Sequence, residues 1–378
     1  MIKKLLSLVL VFGICFATLS CQLVNPSTQS NEPKKEIKNV IVLIGDGMGP
    51  NQIKAGEIYK EEQLFMQTIE QTSKVETNSV YGDTTDSAAA ATALATGIRT
   101  INGQVGIDVE GNEQKTLVDF ASELGKRTAV ISTEQLYGAT PMGFSAHAPQ
   151  RGQSEILMES AATTSNVNLF ASFTISTEFT NKFVENGYEL IENPDDISES
   201  ESEKIIGSYN ILAGAESMTL DSRCLAFDGL VKEALDYLSK DEDGFFLMAE
   251  GAHIDHGGHN NNISYMLEEL LAFDDMVKYV VEWASKRNDT LVIVTADHET
   301  GGLSLNGDVP YGQLFELGTN GRPNYNWTTT GHTSTYVNIY TYGAEIDFKA
   351  YSSFEKADLI KNVDVFKIAK AYLTGEEI

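Results

Sequence analysis

A chain of 378 residues, 42% of them hydrophobic, can bury a substantial core as one large domain or two smaller ones. Its formal charge of −27 is spread along the chain rather than gathered in an acidic tail, which argues against nucleic acid and anionic membrane surfaces as direct ligands. An anionic ligand would have to be met by metal or by a few placed basic groups.

At the N-terminus, Lys3 and Lys4 precede an apolar run too short for a stable span, the pattern of a secretory signal over residues 1–20. Cys21 follows small residues and opens a polar linker, 21–38, that resembles a bacterial lipoprotein processing site with Cys21 acylated. On that reading the protein is exported to the periplasm or outer membrane and meets the membrane only through its lipid anchor. Ordinary cleavage to a soluble protein is the alternative. Removal of the signal takes away Cys15 and leaves Cys21 and Cys224; with Cys21 acylated, no internal disulfide is possible. Cys224 is expected to be a small buried hydrophobe.

The next elements follow in order. "NVIVLI" (39–44) is a short apolar, β-branched run that reads as a buried parallel strand, and "TAVIST" (128–133), "FFLMAE" (245–250) and "LVIVTADH" (291–298) look alike. Helical stretches lie between them, among them "SAAAATALATG", "LVKEALDYLSK" and "SYMLEELLAFDDMVKYVVEWASK". Alternating strands and helices predict an α/β three-layer sandwich: a mostly parallel central sheet with helices on both faces. Residues 39–378 then form one catalytic domain, with peripheral insertions at 165–225, which holds the acidic run "ENPDDISESESEK", and at 306–331.

Polar residues gather at the ends of these strands. Asp46 follows the first, Glu250 closes "FFLMAE", and Asp297 with His298 closes "LVIVTADH". In an open α/β sheet ligands bind outside the carboxyl ends of the strands. Carboxylates gathered there repel one another and call for cations. The stretch "EGAHIDHGGHNN" (250–261) adds Asp255 and three histidines, too many ligands for one ion. "TTDSAAAATALATG" (84–97) sets Asp86 and Ser87 before a run of helix formers, where backbone N–H groups favour an alkoxide or an oxyanion. Taken alone, that segment reads better as a simple helix N-cap at Thr85, Asp86 or Ser87. "YGATPMGFSAHAPQR" (137–151) offers the Thr140 hydroxyl and the Arg151 fork, which suits two phosphoryl oxygens. His147, in an apolar helical context, reads as a packed structural residue.

Taken together, "VLIGDGMG", "TTDSAAAATALATG", "ATPMGFSAHAPQR", "EGAHIDHGGH", "TADHETGG" and "GHTSTYV" resemble the successive signature blocks of the alkaline phosphatase family, in family order over residues 41–338. The resemblance implies a phosphomonoesterase of broad specificity, active at alkaline pH on small phosphate monoesters, with two zinc ions and a third, magnesium, site. Ser87 is implied as the nucleophile that becomes phosphoserine, Arg151 as the phosphate-holding residue, and Asp86 as the group that orients it. Asp255, His259 and His332 are implied as ligands of one zinc, and Asp46, Asp297 and His298 as ligands of the other. Asp46 would also serve the magnesium site with Thr140 and Glu250. Mixed His/carboxylate sets suit catalytic zinc, whereas hydroxyl and carboxylate oxygens suit magnesium. Relatives are often homodimers.

One position departs from the family: ahead of "ATP", where Asp or His is usual beside the third metal, this chain has Gly138. Water or a neighbouring side chain must fill that gap. His256 is expected near the site without being a ligand, and His253 is expected to be structural or surface. The rival readings are a phosphodiesterase or sulfatase of the same superfamily and a non-catalytic phosphate-binding lipoprotein.

Overall fold

The computed structural model describes residues 36–211, 224–318, 321–354 and 358–376. The expected signal sequence, Cys21 and most of the 21–38 linker lie outside the described residues, as do the surroundings of the Cys224 side chain.

In chain order the first half runs β1 (Asn39–Gly45), α1 (Pro50–Lys60), β2 (Gln71–Glu76), α2 (Ser87–Thr96), α3 (Leu117–Glu123), β3 (Arg127–Gln135), α4 (Ala139–Gly143), α5 (Ser154–Thr164), β4 (Leu169–Phe173), α6 (Thr177–Glu185), β5 (Glu189–Ile191) and β6 (Ile205–Ile211). The second half runs β7 (Cys224–Leu225), α7 (Phe227–Leu238), β8 (Phe245–Gly251), α8 (His253–His259), α9 (Ile263–Ser285), β9 (Thr290–Thr295), β10 (Glu299–Thr300) and β11 (Leu303–Leu305). It closes with β12 (Tyr325–Trp327), β13 (His332–Thr333), β14 (Val337–Tyr342), α10 (Phe348–Tyr351), β15 (Leu359–Lys361) and α11 (Asn362–Thr374).

The four runs read as buried strands are β1, β3, β8 and β9, and they lie side by side. The large sheet has the order β15-β2-β14-β9-β1-β8-β3-β4-β6-β5, with β7 beside β6. From β9 to β5 every pairing is parallel; only β14 runs against its neighbours, β9 and β2. Every residue of β1, β8 and β9 is buried, which requires cover on both faces and explains why these strands are continuous apolar runs. One group of helices, α1, α7 and α9, packs together, a second, α2, α3 and α11, forms another, and β1 is touched by both α9 and α11. Among the described residues no helix is long and apolar enough to cross a membrane.

The segment 165–225 differs from its expected irregularity. β4, β6 and β5 continue the parallel sheet beyond β3, and the acidic run 192–204 is the β5–β6 connection. β5 has only three residues and forms the sheet's edge, where short strands are usual and apolar alternation is weak. The 306–331 stretch is framed by two small antiparallel ladders: β11 pairs β12, and outside it β10 pairs β13 with Thr300 opposite His332. These ladders return the chain to where it left the sheet.

Candidate active and metal-binding site

Register sets the site's floor. Gly45 of β1 stands beside Gly251 of β8, and Ser132 of β3 beside Glu250. Asp46, Glu250, Asp297 and His298 therefore emerge at one edge, at the carboxyl ends of adjacent parallel strands. The turn after Asp46 needs glycine: Gly47 has φ 71, and a Cβ there would lie 2.7 Å from the Asp255 Cα. Its N–H instead donates to Asp297 Oδ1 at 3.1 Å.

Ser87 is the first residue of α2, with Asp86 as its N-cap accepting from the Ala89 N–H at 3.0 Å. All ten residues of α2 are buried, and its alanines let α4 come so close that a Cβ on Gly143 would meet Ala91 Cβ at 2.6 Å. Ser87 Oγ lies 3.2 Å from His298 Nε2. The same nitrogen is 3.0 Å from Asp297 Oδ2 and 3.7 Å from Asp46 Oδ1. A second group converges close by: His259 Nε2 is 3.2 Å from Asp255 Oδ2 and 3.2 Å from His332 Nε2, which is itself 3.6 Å from Asp255 Oδ1.

Two trios have one ligand atom each within 4.8 Å of the others: Asp255, His259 and His332, and Asp46, Asp255 and His298. The first is the set expected for one zinc. The second shares Asp46 and His298 with the expected set and has Asp255 where Asp297 was expected; Asp297 Oδ2 still lies 3.0 Å from His298 Nε2. Ring stacking of His298 on His332, with centroids 3.6 Å apart, joins the two.

Behind them sit Glu250 and Thr140, both with no solvent exposure. Ser132 Oγ donates to Glu250 Oε2 at 2.5 Å. Glu250 Oε1, Thr140 Oγ1 and Asp46 Oδ1 are buried without a hydrogen-bond partner. Each orphaned oxygen of this kind costs about 1–3 kcal/mol, so three in one pocket fit a cation.

The electrostatics agree. Burial, reinforced by Asp297, Asp255 and Glu250, holds the Asp46 carboxyl well above the ordinary carboxylate range. Burial and then Glu134 do the same to Glu250. Asp255 moves the other way: burial opposes ionisation, but the hydrogen bond with His259 and the charge of His298 hold it low. That hydrogen bond, working against burial, pushes His259 up to about 9. Arg151 stands at the rim with Nη1 3.4 Å from Asp86 Oδ2, its side chain 42% exposed and free to meet an incoming anion.

The remaining histidines lie outside these groups. His256 is exposed and stacks on the half-buried His253 with ring centroids 4.7 Å apart, and His253 Nδ1 is 4.0 Å from Glu269 Oε2. His147 bonds the Gln114 carbonyl through Nε2 at 3.0 Å. Two residues at the site carried no sequence expectation. Thr300 donates its hydroxyl to Asp255 Oδ1 and lies 3.3 Å from His298 Nδ1, which links the two trios. Glu134, near the end of β3, is the other, and burial, against the pull of Arg151, pushes it up to about 7. Their signal was positional: Thr300 is two residues past His298, and Glu134 four before Gly138.

Residues 37–178 and 176–322 match a family model described as alkaline phosphatase. The chain is 32% identical to alkaline phosphatase 3 of Bacillus subtilis (strain 168), over 83% of this chain and 73% of that protein. The solved alkaline phosphatase of the Antarctic bacterium TAB5 aligns with TM-score 0.75 and 28% identity, covering 90% of this chain and 99% of that one. A His-to-Asp mutant of the TAB5 enzyme, described with Mg bound in its M3 site, aligns with TM-score 0.74 and 26% identity over the same shares, 90% and 99%.

Proposed function

The chain belongs to the alkaline phosphatase family, and from that premise we propose that it hydrolyses phosphate monoesters through a phosphoserine on Ser87. The observation that carries the reading is the position of Ser87 Oγ, 3.2 Å from His298 Nε2 at the mouth of a buried carboxylate cage with orphaned oxygens. A hydroxyl placed there faces a pocket whose charge is balanced only when cations and a substrate anion enter together.

Asp255, His259 and His332 would hold one zinc, and Asp46, Asp297 and His298 the other, with Asp255 within reach of both. Asp46, Thr140 and Glu250 would hold magnesium. When bound, the ions supply positive charge and Lewis acidity to the attacking and leaving oxygens. The rest falls to the chain. Arg151, steadied by Asp86, holds two oxygens of the phosphoryl group, and the N-terminus of α2 faces the developing charge. Ser87 Oγ forms its bond to phosphorus as the ester P–O bond breaks, and the alcohol departs with the proton that Ser87 gives up. Water then cleaves the phosphoserine, restoring the hydroxyl and releasing inorganic phosphate. Arg151 at the rim favours a terminal, doubly charged phosphoryl group over a diester.

The test is hydrolysis of p-nitrophenyl phosphate, bis(p-nitrophenyl) phosphate and p-nitrophenyl sulfate by the zinc-loaded protein and its Ser87→Ala variant. Zinc-dependent turnover of the monoester, lost in Ser87→Ala with zinc content unchanged, is the expected result. Preference for the diester or the sulfate, or phosphate binding without turnover, would overturn it. Export and acylation of Cys21 belong to the same proposal. They are supported by the Lys3–Lys4 and apolar pattern ahead of that cysteine, and are checked by mass spectrometry of the mature N-terminus.

A further inference from the structure

Gly138 leaves the third site one side chain short of its relatives, and the structure shows what stands in the space. A Cβ built on Gly138 would lie 1.7 Å from Glu134 Oε1 and 2.4 Å from its Cδ. The carboxylate of Glu134 therefore fills the volume that a side chain at 138 would take. We propose that Glu134 is a cation ligand of the third site, supplying from the end of β3 the carboxylate that position 138 lacks.

Several observations converge on it. Ser132 Oγ accepts from the Glu134 N–H at 3.0 Å while donating to Glu250 Oε2 at 2.5 Å, so one hydroxyl ties the Glu134 backbone to the Glu250 carboxylate. Two residues past Gly138, Thr140 Oγ1 is fully buried with no hydrogen-bond partner, as is Glu250 Oε1. Among the described residues Glu134 makes no side-chain hydrogen bond or ion pair, and Arg151 turns to Asp86 instead. The Glu134 and Glu250 carboxylates and the Thr140 hydroxyl, with no imidazole among them, are oxygen ligands of the kind a hard divalent cation takes. The same contact explains why this chain carries glycine at 138. A side chain at 138 would take the volume where the Glu134 carboxylate now lies and would turn it away, so the two positions exchange one carboxylate between them.

The inference rests on the third-site reading above, and the experiment separates the two. Zinc-loaded protein is titrated with magnesium by calorimetry, with zinc content measured alongside. Glu134→Gln, which keeps the shape, is expected to weaken magnesium binding by at least about 10–100-fold, the range for losing a group that only orients a ligand, with two zincs retained. Gly138→Asp alone is expected to give no gain, because its side chain meets Glu134. The double variant Glu134→Ala/Gly138→Asp is expected to recover binding, a rescue that a merely structural role for Glu134 would not produce. Unchanged magnesium affinity in Glu134→Gln, or no recovery in the double variant while zinc stays bound, would overturn the proposal. Wild-type protein that keeps its zinc and its Ser87-dependent turnover but takes up no magnesium would overturn it too, leaving the phosphatase reading intact.

Discussion

Replacing Gly143 by alanine tests how closely the helix that carries Thr140 must sit against the helix that carries Ser87. The new Cβ would lie 2.6 Å from Ala91 Cβ, about 0.8 Å short of the 3.4 Å at which ordinary contact begins, with the Ala91 carbonyl carbon at 3.1 Å. Ala91 Cβ is fixed to its backbone and cannot swing away, so α4 and α2 must part. Overpacking of a tight core costs about 1–3 kcal/mol. Alanine recovers less than about 1 kcal/mol of helix propensity at this terminal position, so the net loss is about 1–2 kcal/mol. The larger effect is geometric. Gly143 is three residues from Thr140, and Ala91 one turn from Ser87, so the displacement reaches both ends of the site. A shift approaching 1 Å in a reacting group can cost up to about 100-fold. Urea denaturation and kcat/KM on p-nitrophenyl phosphate, both on zinc-loaded protein, check the two parts. Stability and turnover both within twofold of wild type would show that the α2–α4 contact does not set the distance between nucleophile and third site.

Two further outcomes follow from the site itself. Thr300→Val removes the hydroxyl that bridges Asp255 and His298. It should weaken zinc binding by about 10–100-fold in competition with a chromogenic chelator, and unchanged affinity would sink that role. His259 titrates near 9 in the folded, metal-free protein, above its reference of 6.5, because it donates to Asp255. Its contribution to stability is therefore complete below pH 6.5 and lost as pH rises through about 9. A zinc ion must displace that proton, so apparent zinc affinity should climb from neutrality to about pH 9 and then level. Calorimetry in two buffers of different ionisation heat reads the released proton; no release at pH 7 would contradict the assignment.

How much of this was legible in the sequence depends on the kind of signal each residue leaves. Strands β1, β3, β8 and β9 could be read because both their faces are buried, which writes an unbroken apolar run. Asp46, Glu250, Asp297 and His298 could be read because they sit at the ends of those runs. β5 and β6 could not: one is three residues long, and the other, "IIGSYNI", mixes polar and apolar positions at the sheet's rim. The separation of "EGAHIDHGGHNN" into Asp255 and His259 on one side and His253 and His256 on the other came from the family resemblance; in the fold Asp255 and His259 lie beside His332, while His253 and His256 stack on each other. The double reach of Asp255 was invisible, because it depends on how far two strand ends stand apart. Glu134 was invisible for another reason. A glycine announces that something is missing, but only packing reveals which neighbour has moved into the space.

The single reversed strand has a consequence for the order in which the molecule can be completed. Because β14 runs against β9, it begins at the edge where the parallel strands end, and His332 arrives there on the approach to β14. Asp46, Glu250, Asp255, His259, Asp297 and His298 all precede it in the chain. In synthesis from the N-terminus all six are therefore made before the imidazole that closes the first trio. The same holds for α11, which packs on α2 with Phe366 against Gly97, at the end away from Ser87. A chain shortened before residue 332 would thus keep the strand-end carboxylates and still lack the third member of the first trio.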